Sequence, residues 1–456
     1  MAIVGAGLAG LAAGCELADR GHDVLLLDRR PWAGGKTYSF AERATGEQVD
    51  NGQHIAMRCT TEYVRFLERI GTAHLLRWQP RMSVRVYDAN GRASTLRADP
   101  LPAGLHMVPS FATYAHLRPT DKLRIARGIL AIRTASAPDP ALESQTFGAW
   151  LRAHGQTDAT IRDFWDLVVV PALNCRCDDA SAAQALFVFR EGFLKSPTSA
   201  AVGVPVAGLT QLHVDPALAY IRARGGDVRT GASVTRIVLE DGAACAVELA
   251  DGKRISYDAV IAAVPPAALL SMLPATIADQ SPFADLAAFR TSPIVNVHLW
   301  FDRPVADFDF AAFTGCDLQW VFNRTRISGE TAREEHVVIS LSAAERYMPL
   351  GRQQLQDLLL PQLRRALPAA AAANVVRCAV IKEPDATFVP APALRRPGAR
   401  TPIANLFLAG AYTGTGWPAT MESAVRSGLA AARAASEDET HMMQFTGRPI
   451  ASAAYM

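Results

Sequence analysis

Apolar residues open the chain at Ile3-Val4, break at Gly5-Ala6-Gly7-Leu8-Ala9-Gly10, and then recur at helical spacing as far as Gly21. The pattern predicts a strand, a tight turn, a helix over Leu8 to Arg20, and a second strand from Asp23 to Asp28. Much later, Gly225 to Val234 reads as strand and turn, a hairpin is expected around Asp251-Gly252, and Asp258 to Pro266 reads as another strand. Asn405 to Gly410 is a strand ending in glycine, and Gly414 to Gly428 turns into a closing helix with Pro418 expected in its first turn. The rest alternates strand patterns (Ser83 to Tyr87, Ile294 to Phe301, Val337 to Ser342) with helical stretches at 119–134, 143–155, 159–173 and 181–194. The whole is an α/β chain of more than one unit.

At 456 residues the chain exceeds what a single core usually organises. Half the residues are apolar and a fifth charged, so disordered, collagen-like and disulfide-scaffold classes are excluded. The net charge of +2 provides no polyanion-binding surplus, and no nucleic-acid partner is expected. Seven scattered cysteines point to reduced thiols and a cytoplasmic setting. Cys175 and Cys177 have no ligand pair at metal spacing, so no metal site is expected. Nothing basic precedes the apolar start, which argues against an export signal, and the first strand opens so early that a trimmed start is expected. The long uncharged runs are interrupted by proline or glycine, so no membrane span is expected.

The first fifty residues carry the chemistry. G-x-G-x-x-G stands between strand and helix, with Asp28 18 residues after Gly10 at the end of strand two. Gly5 permits the turn, Gly7 lets backbone approach a pyrophosphate, Gly10 lets helix and strand touch, and Asp28 can accept from ribose hydroxyls. A dinucleotide is the expected ligand.

Gly34-Gly35-Lys36 and Val49-Asp50-Asn51-Gly52-Gln53-His54, with Gly410 and Ala419-Thr420-Met421, resemble the FAD-binding segments of the flavoprotein superfamily of amine oxidases and phytoene desaturases. The resemblance implies a Rossmann-like FAD-binding domain of the amine-oxidase type with an inserted α+β substrate domain. It places Gly34 and Gly35 near the pyrophosphate, Gly52 and Gln53 near the flavin ring, Val234 at the adenine, and the helix N-terminus at Ala419 to Met421 facing the pyrimidine edge. Lys36 stands where the superfamily more often has Arg, and Ala411 where it usually has Asp; Tyr412 or Thr413 would have to substitute, or FAD is held less tightly. The expected cofactor domain is discontinuous (1–78, 205–292 and 378–456), with 79–204 and 293–377 forming the substrate domain.

D-N-G-Q-H at 50–54, Leu173-Asn174 followed by Ala180-Ser181-Ala182, and T-G-W-P-A-T-M-E at 415–422 look most like the hydroxysqualene dehydroxylases of squalene and hopanoid biosynthesis. That resemblance spans nearly the whole chain and implies a C30 isoprenoid lipid substrate. His54 is the candidate proton donor, with a packing role beside the flavin as the other reading. Carotenoid desaturase, amine oxidase and flavin-less prenyl carrier remain the alternatives. The basic amphipathic segment Arg118 to Arg133 fits either a solvated face or a peripheral contact at the inner face of the membrane.

Overall fold

The computed structural model describes residues 1–42, 46–136, 139–329 and 333–446, with side chains through 438. The stretches 43–45, 137–138, 330–332 and 447–456 of the expected domains lie outside the described residues.

The first strand, Ala2–Val4, sits at the centre of a five-stranded parallel sheet in the order Asp227–Thr230, Leu25–Asp28, Ala2–Val4, Val260–Ala262, Leu406–Leu408. The middle strands are continuous apolar runs because a parallel sheet is covered on both faces. Alternate residues divide accordingly: Ile3, Leu26, Ile261 and Phe407 face the helix Leu8–Asp19 and the long helix Met421–Thr446. Ala2, Leu27, Val260 and Leu408 face a three-stranded antiparallel sheet formed by Val234–Glu240, Ala243–Leu249 and Arg254–Ser256. The two helices meet at backbone distance, since a Cβ on Gly428 would lie 2.1 Å from the Ala9 carbonyl oxygen.

The inserted unit is built on a seven-stranded sheet in the order Val375–Phe388, Thr291–Phe301, Glu335–Leu341, Trp320–Asn323, Phe310–Thr314, Ser83–Asp88, Ala93–Arg97. Helix Arg352–Ala366 covers one face through Val295, Val297, Leu299 and Phe301. A helical layer spanning Pro119–Leu194 covers the other, with Trp165 and Phe189 wholly buried.

Three expectations change. Strand Val375–Phe388 pairs along the length of Thr291–Phe301, so the cofactor segment resumes after Phe388 rather than at 378. The closing helix begins at Met421, capped by the Thr420 hydroxyl accepting from the Ser423 N–H at 3.2 Å, and Pro418 precedes it. Helix Pro119–Thr134 buries Ile125 and Ile132 but turns Leu123 and Leu130 outward, 74% and 59% exposed, so its apolar residues do not share one face.

Candidate dinucleotide and redox site

The glycine turn is held by close backbone approach. Gly5, at φ +105°, donates to the Leu27 carbonyl at 2.7 Å, and a Cβ there would lie 2.4 Å from the Ala263 oxygen. A Cβ on Gly10 would lie 1.9 Å from the Gly5 oxygen. Gly34 donates to the Ala6 carbonyl at 2.8 Å, and a Cβ on Gly35 would come within 2.9 Å of the Gly7 Cα. The paired glycines thus lie on the turn. Gly7 is open apart from Gly35, and as N-cap it leaves the first N–H groups of helix Leu8–Asp19 without a side-chain acceptor. That is an anion-binding cradle.

Asp28 ties strand to turn: its carboxylate accepts from the Ala6 N–H at 2.8 Å and the Arg30 N–H at 2.9 Å. Each oxygen keeps a further lone pair for a ribose hydroxyl. The Ala232 N–H donates to the Asp28 carbonyl at 2.8 Å, bringing buried Val234 to the same corner. Lys36 goes elsewhere. Its ammonium donates to the carbonyls of Asp385 and Ala386 on the inserted sheet, and burial lowers its pKa.

The segment 50–54 is anchored from both units. Asp50 accepts from the Ser39 hydroxyl at 2.7 Å and the Leu209 N–H at 2.9 Å, and Asn51 donates to Glu383 at 3.2 Å. Gln53 is half-buried beside them. His54 is deep, so burial lowers its pKa despite the opposing pull of the Gly52 carbonyl and Asp50. Its Nδ1 lies 2.9 Å from the Gly52 oxygen, so Nδ1 carries the proton and Nε2 is bare. His54 is therefore neutral near pH 7.

At the other end, Gly410 (φ +145°) donates to the Ser427 hydroxyl at 2.8 Å. Of the two polar residues that follow Ala411, Thr413 is already bonded, whereas the buried Tyr412 hydroxyl has no partner among the described residues. Thr413 donates its hydroxyl to the Gly410 carbonyl at 3.1 Å, and Tyr412 packs its buried ring against Phe289. The buried guanidinium of Arg396 instead stitches the loop, donating to the carbonyls of Ala411 at 2.8 Å and Thr413 at 2.6 Å, and burial lowers its pKa to about 10. Ala419, Thr420 and Met421 are half-buried at the start of the closing helix.

Further residues complete the surroundings and carried no motif. Phe187 is half-buried and meets Trp417 edge to face at 5.0 Å, so it walls the closing turn rather than filling the core. On strand Thr291–Phe301 the even positions Asn296, His298 and Trp300 point away from the helix-covered core. A Cβ on Gly52 would lie 3.4 Å from Asn296 Nδ2. His298 Nδ1 lies 2.9 Å from His336 Nε2, His336 stacks on Trp300 at 4.3 Å, and Arg377 caps that ring. Burial lowers the His298 pKa to about 3, so this pair is neutral too. The available signal was two polar residues at alternate positions of an otherwise apolar strand. A hollow of about 440 Å³ opens between Val170, Pro171 and Trp320. Trp320 pairs with Ser340 and Ser340 with Asn296, so it starts about 10 Å along the sheet from Asn296.

The family model for flavin containing amine oxidoreductase matches residues 8–436. The chain belongs to that family. It is 27% identical to a probable zeta-carotene desaturase of Synechococcus elongatus, over 96% of this chain and 98% of that one. It is 26% identical to the 15-cis-phytoene desaturase of the same organism, over 99% of each. Among solved structures, an oxidoreductase from Methanosarcina mazei superposes with a TM-score of 0.74 at 18% identity, covering 94% of this chain and 98% of that one. Wild-type putrescine oxidase bound to putrescine gives 0.72 at 18%, covering 96% and 98%. The fold is that of the FAD-dependent oxidoreductases, and the cofactor is FAD. The cradle fits it: the glycines leave room for a pyrophosphate where side chains would fill the turn. When bound, FAD supplies hydride exchange with the substrate.

Proposed function

We propose that this flavoprotein acts on a long linear isoprenoid and that its reaction is reductive removal of an allylic hydroxyl, hydroxysqualene to squalene. One observation carries the reading. Asn296, beside Gly52, and His298 are buried with polar atoms unpaired among the described residues, on a sheet face that also carries Phe310, Phe322 and Val338. A pure hydrocarbon offers such groups no partner, whereas an alcohol does. The overall change replaces a C–O bond by a C–H bond: reduced FAD is the hydride source, and the oxygen leaves as water after gaining a proton. His54 handles the proton; because its resting proton is turned to Gly52, donation requires protonation at Nε2 first, and turnover by this route rises as pH falls toward its lowered pKa.

A second reading is desaturation, in which hydride and proton both leave the substrate. The names of the whole-chain relatives favour it more directly, and a neutral His54 is ready to accept that proton. Anaerobic incubation separates the two. Chemically reduced holoenzyme with hydroxysqualene should yield a product lacking one oxygen by mass, and oxidised holoenzyme with phytoene should yield none lacking hydrogen. The reverse pattern establishes desaturation, and turnover of an amine in place of either lipid overturns both.

The proposal extends to a peripheral contact with anionic membrane. Leu101, Leu105, Val108, Leu123 and Leu130 are large, apolar and exposed, among exposed Arg118, Arg124 and Arg127. No helix among the described residues is long and apolar enough to cross a membrane. Co-sedimentation with anionic liposomes at low salt, weakened at high salt, is the expected result.

A further inference from the structure

We infer that Asn296 and His298 form a hydroxyl-recognising subsite, which rests on the dehydroxylation reading and selects an allylic alcohol over the hydrocarbon of the same length. The two stand at alternate positions of strand Thr291–Phe301, so their side chains leave one sheet face side by side, roughly 7 Å apart. Both are buried, at 0% and 1% exposure. Among the described residues, neither amide atom of Asn296 has a hydrogen-bond partner, nor does His298 Nε2.

This is not how the protein treats its other deeply buried asparagines. Asn174 donates to the Ser292 carbonyl and the Thr387 hydroxyl and accepts from the Ala343 N–H. Asn323 donates to the Ala306 carbonyl and Glu335 and accepts from the Arg326 N–H. Two buried amides are fully bonded, whereas the one against Gly52 is bare at both ends. Buried polar groups in folded proteins are nearly always paired, and the exceptions call for a ligand.

The neighbouring imidazole is held rigidly. His336 fixes its Nδ1, and Trp300 and Arg377 stack behind His336. In either tautomer, Nε2 presents one function to the site, a donor or an acceptor, while the amide presents both. With Nε2 protonated and Nδ1 accepting from His336, a hydroxyl matches the set, donating to the amide oxygen and accepting from the amide nitrogen and Nε2. A hydrocarbon leaves all three atoms bare, and sites built to bond a hydroxyl reject the analogue lacking it.

The test uses oxidised holoenzyme, in which reductive turnover does not occur. Hydroxysqualene and squalene are titrated separately in detergent micelles, read by perturbation of the flavin absorbance and by tryptophan fluorescence. The wild-type protein should bind the alcohol at least about tenfold more tightly. Asn296→Leu should bring the two lipids within about twofold, and His298→Phe should narrow the gap less, with squalene affinity and flavin content unchanged in both. A preference that survives both substitutions overturns the subsite. So does loss of flavin from Asn296→Leu with the preference intact, which would assign the amide to the cofactor. Should Asn296→Leu fail to fold, Asn296→Ala carries the same expectation. Failure of the reaction reading looks different: no deoxygenated product forms, yet the alcohol still binds more tightly and the variants still erase the difference.

Discussion

The glycine turn at 5–10 packs against Gly34-Gly35 and the sheet face around Asn296 against Gly52, and on the proposed reading they work by opposite means. At the turn, specificity lies in what is absent: backbone meets backbone at Gly5, Gly10 and Gly35 because no Cβ intervenes. At the sheet, it lies in side chains whose polar ends have no protein partner. At Gly5, Gly10 and Gly35 an added Cβ collides with backbone, whereas the sheet face is expected to be sensitive chiefly to change in polarity. On the proposed reading, the first governs whether the cofactor stays, and the second which substrate is accepted.

The hardest break in this comparison is Gly10→Val. Its Cβ would overlap the Gly5 carbonyl, so the purified protein should be insoluble or carry less than about a tenth of the wild-type flavin by absorbance ratio. Gly398→Ala, with open space around it and ordinary backbone, should keep full colour. Next in size is His54→Ala. Turnover at saturating substrate should fall about a hundredfold with flavin retained; unchanged turnover removes His54 from the chemistry.

A smaller, global effect comes from buried neutral histidines. His213 and His298 have pKa values lowered to about 3 in the fold, against about 6.5 when unfolded, so below that value the unfolded chain takes up protons that the native chain refuses. Their contribution is present above pH 6.5 and is lost on acidification at about 1.4 kcal/mol per pH unit for each. Urea midpoints should therefore drop between pH 6.5 and 4, and His298→Phe should flatten that slope. The mildest change is Ala411→Asp. The wild-type protein should lose part of its flavin on dialysis, and the restored carboxylate should raise retention by no more than about tenfold in Kd. Full stoichiometric flavin in dialysed wild-type protein would show that Arg396 already holds the loop in its binding shape.

How much was legible in the sequence follows the same division. Gly5, Gly10 and Gly34-Gly35 could be read because close approach and positive φ admit little but glycine there. The strand ending at Asp28 followed from its apolar run, since both faces of the parallel sheet are covered. The sheet face was not legible. Asn296 and His298 could be assigned to a strand, but their lack of partners depends on contacts far apart in the chain. Nor was the true boundary at Phe388, because Val375–Phe388 is half-buried with polar residues throughout and takes its place only by pairing with Thr291–Phe301. Pro418 misled for a local reason: proline suits a helix start, but the Thr420 hydroxyl caps the helix, which begins three residues after the proline, at Met421. Phe187 carries no motif, and only the fold brings Trp417 against it.

Gly428 resting on the Ala9 carbonyl has a consequence for biogenesis. The mould for the pyrophosphate is synthesised first and its clasp some four hundred residues afterwards, so a nascent chain leaving the ribosome carries an incomplete berth. Colour should therefore arrive late and all at once, and any shortening that removes Gly428 should free the pigment while leaving most of the polypeptide already made.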